Sequence, residues 1–376
     1  MNDKIARFLV GRQPETPCLV VDLDIVADNY RTLRGAMPLA DIFYAVKANP
    51  APQILRVLSD LGSSFDGASI HEIERCLDAG VAAERLSFGS TIKKARDIAA
   101  AHAHGVRLFA FDSAGELDKL AVEAPGARVF CRILMEGIGA DWPLSDKFGC
   151  DVEMAAELLI EAARRGLEPY GVSFHVGSQQ RDIDQWDVAL GRTAMVFSAL
   201  NAAGMELKMV NIGGGFPARY RADVEPPEAY AAGIMTAMTR HFGNRLPEMI
   251  VEPGRGIVGD AGLIQTEVVL ISRKSRGDKR RWVYLDVGKF GGLPEVMDEA
   301  IQYRLRTPRD GGQEGPVIIA GPTCDEVDML YEKSGYTLPL GLAIGDKIEI
   351  LSAGAYTATY ASIGFNGFPP LREHYI

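Results

Sequence analysis

Asp41-Ile42-Phe43-Tyr44-Ala45-Val46 is a short apolar run that stops at a charged side chain, Lys47. Seven more runs of this kind follow, at residues 63–66, 86–89, 108–111, 129–134, 170–175, 209–212 and 248–251. Most are separated by a stretch of helical periodicity. Strands that alternate with helices imply parallel pairing, because a parallel connection needs a crossover of a dozen or more residues. Eight such units fit a closed α/β barrel, an eight-stranded TIM-like architecture whose active site gathers at the carboxyl ends of its strands. The polar outliers of this chain sit at those ends: Lys47, Asp66, His175, the turn Gly213-Gly214-Gly215, Glu252 and Arg255.

The connecting helices are expected over residues 53–61, 71–79, 93–104, 152–165, 183–203 and 227–241, where apolar residues recur at spacings of three and four. Ser69 and Glu72 form a Ser-x-x-Glu capping box, and Gly80, Gly105, Gly166 and Gly204 supply C-terminal stops. Past Gly256 the texture changes. Residues 265–272, 281–287, 316–320 and 347–351 read as strands with little helix between them, which predicts a mostly antiparallel β C-terminal domain. Residues 18–22 are expected to be its first strand. The expected division is a barrel over residues 24–260 and a β-sandwich-like domain from residues 1–23 and 261–376.

Composition narrows the function. The 376 residues include 50 acidic and 40 basic side chains, a net charge of -10. That balance argues against nonspecific nucleic-acid binding, which depends on neutralising phosphates. Residues 1–12 are charged and lack the apolar stretch of a signal peptide. No segment approaches the roughly 20 apolar residues that cross a bilayer. The five cysteines are an odd number with no paired spacing, so neither a disulfide framework nor a zinc site is expected. A reducing cytoplasm is the expected location.

Lys47 sits where a barrel strand ordinarily ends in a small or polar residue. An exposed loop lysine is the plainer explanation if it stands alone, because a long cationic side chain can snorkel to water. A desolvated lysine instead has a lowered pKa and can attack an aldehyde, as the lysine that binds pyridoxal 5'-phosphate does. The other requirements of that cofactor are present. Gly213-Gly214-Gly215 and Gly254-Arg255-Gly256 follow the seventh and eighth runs, the loops in which barrels commonly hold phosphate. Glycine lets the backbone approach, and Arg255 can pair with a phosphate dianion. Glu252, facing a pyridine nitrogen, would keep it protonated; a salt bridge to Arg255 is the plainer explanation, and the two roles are compatible. His175 could stack on the ring or serve only as a satisfied hydrogen-bonding group.

Phe43-Tyr44-Ala45-Val46-Lys47-Ala48-Asn49, Phe65-Asp66-Gly67-Ala68-Ser69, Phe174-His175-Val176-Gly177-Ser178, Gly213-Gly214-Gly215-Phe216-Pro217 and Glu252-Pro253-Gly254-Arg255 together resemble the fold-type III pyridoxal phosphate-dependent decarboxylases. Within them the chain is similar to the ornithine decarboxylases, and to their bacterial ornithine/lysine branch. The likeness extends through Gly321-Pro322-Thr323-Cys324-Asp325, Gly354-Ala355-Tyr356-Thr357 and Phe365-Asn366-Gly367-Phe368, and so covers almost the whole chain in order. The resemblance implies that Lys47 carries the cofactor as an internal aldimine and that Glu252 pairs with the pyridine nitrogen. His175 would stack on the ring. Ser178, Gly213, Gly214, Gly215, Gly254, Arg255 and Tyr356 would hold the phosphate, with Asp66 and Glu72 supporting lysine and cofactor. Cys324, the proton donor, and Asp325, the substrate contact, would come from the partner subunit of a homodimer with shared sites. A small buried hydrophobe and a turn former are the plainer explanations of these two.

Three departures from the eukaryotic pattern stand out: Pro143 replaces an arginine, Lys289 stands where Asp-Gly-x-Tyr-Gly has tyrosine, and Met297-Asp298 matches a Tyr-Asp substrate motif in part. Asp298 is a second substrate-binding candidate, or a helix-surface carboxylate beside Glu299. The resemblance implies α-decarboxylation of L-ornithine to putrescine and carbon dioxide, with L-lysine to cadaverine as a further reaction. A carboxylate such as Asp325 pairs with the distal ammonium of both and repels the second carboxylate of diaminopimelate. Hydrophobic selection for the one methylene that separates them is worth only roughly 1–3 kcal/mol. Diaminopimelate decarboxylation, racemisation, and a catalytically inactive homologue that binds a regulatory protein are the alternatives. Arginine decarboxylases of this fold are expected to be much longer chains.

Overall fold

The computed structural model describes residues 3–142 and 146–376; Pro143 lies outside them. Strands Ala40–Ala45, Ser64–Gly67, Leu86–Phe88, Leu108–Phe111, Arg128–Arg132, Glu168–Ser173, Met209–Asn211 and Glu248–Val251 form a closed parallel barrel in chain order. The eighth strand closes on the first through Met249 against Ala40, Ile250 against Asp41 and Val251 against Ile42. Every apolar run became a strand, with ends displaced by no more than two residues. Phe43, Leu108, Ala110, Phe130, Tyr170, Met209 and Ile250 form a buried cluster contributed by six of these strands. Burial stabilises each larger side chain by roughly 1.5–3 kcal/mol. Tyr170 keeps its hydroxyl satisfied by donating to Glu248 at 2.6 Å.

The six expected helices are present as Pro52–Asp60, Ile70–Asp78, Ala95–Ala103, Val152–Arg164, Asp184–Ala202 and Pro227–Phe242. Ser69 caps the second of them by accepting the Glu72 N–H at 3.3 Å. The return bond differs from the expected box, because the Glu72 carboxylate accepts the N–H of Ala68 at 2.7 Å. Four described helices lie outside those the periodicity singled out: the single turn Arg255–Val258, then Asp3–Arg12, Leu23–Ala36 and Ala114–Glu123. The last buries only Leu117 and Leu120 among large apolar residues, together with a carboxylate, Glu116. Too little apolar stripe remains there for a pattern to register.

The chain divides into two compact units. One comprises Ala27–Pro217 and Val224–Gly256; the other comprises the N-terminal residues through Val26, Ala218–Asp223 and Ile257–Ile376. The barrel unit is therefore narrower than residues 24–260. Ala218–Asp223 leaves it because polar bonds fasten it to the second unit. There the Arg219 N–H donates to Asp260 at 3.1 Å, and Ser352 Oγ donates to the Arg219 carbonyl at 2.8 Å.

The second unit carries a single nine-stranded sheet. Cys18–Val21 pairs antiparallel with Gly262–Ser272 and parallel with Arg372–Tyr375. Arg281–Leu285 runs parallel to Glu314–Ala320, and the remaining pairings are antiparallel. Among the described residues, no helix is long and apolar enough to cross a membrane.

Candidate active site

The first barrel strand runs into a single 3₁₀ turn, Val46–Ala48, in which Val46 and Ala48 are buried and Lys47 is exposed. The Ala45 N–H donates to the Pro253 carbonyl at 3.0 Å, stitching this strand end to the loop after the eighth strand. The expectation of a desolvated amine is thus not met at Lys47. The buried lysine of the barrel is Lys93, whose ammonium donates to the carbonyls of Ser90 at 2.7 Å and Ala110 at 2.6 Å and pairs with Glu116 at 2.9 Å. Burial pushes its pKa down to about 8, against the pull of Glu116. Two hydrogen bonds and one ion pair hold the Lys93 ammonium in place, which makes it a structural tie. Burial alone would select Lys93 and not Lys47.

Around Lys47 stand two carboxylates. Asp66, in the second strand, is 5% exposed and accepts the Ser87 hydroxyl at 2.6 Å. A side chain at position 89 would lie 2.1 Å from the Asp66 carboxylate, so Gly89 makes room for it. Burial raises the Asp66 pKa well above the usual carboxylate range, Glu252 raises it further, and Lys47 and Ser87 oppose the rise. Burial also raises Glu72, against the Ala68 N–H and Lys47. Lys47 therefore lies within the field of both.

Glu252 follows the eighth strand and is oriented by a neighbour that the sequence reading missed. Asn211 donates from Nδ2 to Glu252 Oε1 at 2.5 Å, while its own Oδ1 accepts the Gly213 N–H at 2.9 Å. One buried amide thus locks the carboxylate and the glycine turn together. Arg132, at the end of the fifth strand, was missed as well. Burial lowers its pKa, and Glu252, Asp112 and Asp66 counter that effect. Both residues sit inside apolar runs, and a polar side chain at the last positions of such a run was the available signal.

The turn after the seventh strand is bare of side chains for steric reasons. Gly213 has φ +70° and Gly215 φ +103°, and a side chain at position 214 would lie 2.7 Å from the Glu252 carbonyl and 3.3 Å from His175 Nε2. Arg255, 3% exposed, reaches Ser178 Oγ from Nη2 at 3.0 Å, and Gly254 beside it is buried. His175 is half-buried, and its Nδ1 accepts the Gly177 N–H at 3.0 Å, which leaves the ring proton on Nε2. Burial lowers its pKa well below the ordinary value, and Arg132 and Lys47 add to the effect. The imidazole is neutral.

Lys47, Asp66, Glu72, His175, Ser178, Gly213, Gly214, Gly215, Glu252, Gly254 and Arg255 all belong to the barrel unit, whereas Asp298, Cys324, Asp325 and Tyr356 belong to the second. Cys324 is exposed, and its N–H donates to Asn366 Oδ1 at 2.8 Å. The reading of Cys324 as a buried hydrophobe is excluded. Asp325 is exposed and does form a turn, accepting the Val327 N–H at 3.0 Å. Tyr356 is half-buried at φ +55°. Asp298 is no helix-surface residue, since it occupies a left-handed kink at φ +52°.

A sequence profile described as pyridoxal-dependent decarboxylase, pyridoxal binding domain, matches residues 23–259. The chain belongs to the pyridoxal-dependent decarboxylase family. It is 38% identical to the lysine/ornithine decarboxylase of Selenomonas ruminantium over 370 residues, covering 98% of this chain and 91% of that one. The crystal structure of a Vibrio vulnificus lysine/ornithine decarboxylase complexed with putrescine superposes with a TM-score of 0.88 at 30% identity, over 100% of this chain and 97% of that one. The arginine decarboxylase of Paramecium bursaria Chlorella virus matches with a TM-score of 0.90 at 28% identity and covers 100% of both chains. That last match overturns the length argument against arginine, because an arginine decarboxylase of this size exists.

The family's cofactor is pyridoxal phosphate, and the residues present fit it. The side-chain-free turn with Arg255 and Ser178 suits a phosphate. A carboxylate oriented by Asn211 suits a pyridine N–H, and the Lys47 amine suits an aldehyde carbon.

Proposed function

We propose that this chain α-decarboxylates L-ornithine to putrescine and carbon dioxide and acts on L-lysine, giving cadaverine, as a second substrate. The observation that carries the reading is the set of groups at the carboxyl ends of the barrel strands: one amine, one amide-oriented carboxylate and one bare glycine turn beside a buried arginine. The relatives named lysine/ornithine decarboxylase support the substrate class.

Bound there, the cofactor supplies an electron sink for the electron pair left when the α-carboxylate departs as carbon dioxide. The protein's own tasks are orientation and proton handling. Arg255, Ser178, Gly254 and the N–H groups of Gly213, Gly214 and Gly215 hold the phosphate, with Tyr356 as a further contact. Glu252, fixed by Asn211, keeps a proton on the pyridine nitrogen. His175, with Nδ1 accepting the Gly177 N–H, would offer the cofactor a neutral ring and add no cation beside it. Lys47 supplies the amine that holds and releases the cofactor, with Asp66 and Glu72 balancing its charge. Cys324 delivers a proton to the α-carbon, and Asp325 and Asp298 receive the distal ammonium.

Cys324 and Asp325 act in a homodimer, supplied to each site by the partner subunit. Exposed apolar residues near the Cys324 loop support this: Val327, Ile363, Phe365 and Phe368. A patch of that kind marks a surface that a second copy covers. Mixing inactive Lys47→Ala with inactive Cys324→Ala should restore about a quarter of full activity, since half the dimers are mixed and carry one intact site. No recovery on mixing would contradict shared sites. The five cysteines are all free, which supports the cytoplasm as location.

The substrate is tested by a product assay with equal concentrations of ornithine, lysine, arginine and diaminopimelate. Putrescine as the main product, with cadaverine second, is expected. Agmatine or lysine as the main product would overturn the assignment, and no product would favour an inactive homologue. That last outcome is disfavoured because Lys47, Glu252, Arg255 and Cys324 are all retained.

A further inference from the structure

Asp298 and Glu299 are consecutive residues at φ +52° and +58°. Side chains other than glycine enter that left-handed region only when their surroundings hold them there. The pair interrupts the short turn Pro294–Glu299, just after Met297 in an extended conformation. What holds it is visible. The Glu299 carboxylate accepts the backbone N–H groups of Glu332, Lys333 and Ser334, each at 2.7 Å, and also the Ser334 hydroxyl. Four donors fill the acceptor capacity of a carboxylate. Burial would raise its pKa, but the bonds from Ser334, Lys333 and Glu332 outweigh burial and hold it below the ordinary value. The segment is tied down a second time by Tyr331, whose hydroxyl donates to the Ile301 carbonyl at 2.8 Å and accepts the Tyr303 N–H at 2.8 Å.

The adjacent carboxylate is treated in the opposite way. Asp298 is exposed and has no side-chain hydrogen bond or ion pair among the described residues. A turn clamped through one carboxylate therefore presents the next one bare. Unpaired exposure in a strained conformation is what a ligand-facing group requires, and an ordinary surface aspartate does not require the strain.

We propose that Glu299 is a positioning residue that sets the reach of Asp298 toward the distal ammonium and thereby fixes the preference between substrates differing by one methylene. The inference rests on the reading of Asp298 given under Proposed function. A clamped carboxylate meets an ammonium at one chain length, while a loosened one meets both lengths less well and more equally.

The test measures KM, kcat and diamine affinity for wild type, Glu299→Gln, Asp298→Asn and the double variant, all loaded with cofactor. Ser334→Ala serves as a milder probe that removes one donor. Glu299→Gln should raise KM for the better substrate by roughly tenfold with a smaller change in kcat. It should also bring the ornithine and lysine values of kcat/KM closer together, and the putrescine and cadaverine dissociation constants with them. In the Asp298→Asn background Glu299→Gln should add nothing to KM, and Ser334→Ala should shift the same ratio in the same direction by less. If Asp298→Asn raises KM while Glu299→Gln leaves both ratios unchanged, or multiplies independently with it, the positioning role is overturned and the substrate contact survives. If Asp298→Asn itself leaves KM and diamine affinity unchanged, the contact falls and the inference falls with it. A loss confined to melting temperature, with all ratios intact, would likewise leave Glu299 only a structural tie.

Discussion

The barrel and the second unit present their functional groups in contrasting ways. In the barrel each group stands at or just beyond a strand end and is braced by a second residue: Glu252 by Asn211, Arg255 by Ser178, Asp66 by Ser87. In the second unit Asp298, Cys324 and Asp325 stand on exposed turns, held through the backbone or a neighbouring residue. Strand ends change little when surface residues vary, because the parallel sheet is buried on both faces. Turns can be reset by one or two substitutions. On the proposed reading the difference teaches a division of labour, with most cofactor contacts on the rigid part, and the proton donor Cys324 and the substrate carboxylates on the adjustable part. One fold can then serve ornithine, lysine and arginine decarboxylases, as its relatives do.

If that division holds, barrel variants should damage turnover with any substrate. Lys47→Ala should lower kcat on the order of 10⁴-fold, measured by carbon dioxide release with ornithine and with lysine. Lys93→Ala should do something else. It removes one of the two ammonium groups paired with buried Glu116 and leaves Lys119 as the other, at a stability loss of roughly 1–3 kcal/mol in denaturant titration, while the folded fraction still binds cofactor. Equal kinetic damage at both lysines would break the distinction drawn here between an exposed amine and a buried tie.

Glu252→Ala should cost roughly 10²–10³ in kcat for both substrates alike. Asp325→Ala should instead raise KM, with unequal effects on ornithine and lysine, and steady-state kinetics on both variants checks the contrast. The comparison would fail if Asp325→Ala lowered kcat with both substrates and left KM alone.

A smaller effect concerns pH. The Asp66 pKa is raised in the folded barrel. Its favourable contribution is therefore complete below the unfolded value near 3.8 and is lost as pH rises through the folded value. In cofactor-free protein, Asp66→Asn should add roughly 1–3 kcal/mol of stability near neutrality and flatten the loss on going upward from acid. Denaturation midpoints across that range measure it. A variant as pH-dependent as wild type would contradict the assignment. The weakest signal is His175, lowered well below 6.5. Its ring resonances should not titrate between pH 6 and 8.

Much of the barrel was legible because parallel strands announce themselves as short apolar runs, and because the polar residues closing those runs fall at one end of the barrel. Asn211 and Arg132 escaped because each lies inside a run, where a polar residue reads as noise until its partner is known. Leu23–Ala36 escaped because it follows a strand at a presumed boundary, and Ala114–Glu123 because its buried face includes Glu116. The exposure of Lys47, the engagement of Lys93 and the left-handed pair Asp298-Glu299 are properties of backbone conformation and long-range contacts. Residue type and spacing do not encode them locally.

The central claim is that the exposed amine at the end of the first barrel strand binds the cofactor, and the buried one does not. Borohydride reduction of the cofactor-loaded protein, followed by proteolysis and mass spectrometry, tests it most directly. The account predicts a phosphopyridoxyl group on the peptide containing Lys47 and an unmodified Lys93. Modification at Lys93, or at no lysine, would contradict it.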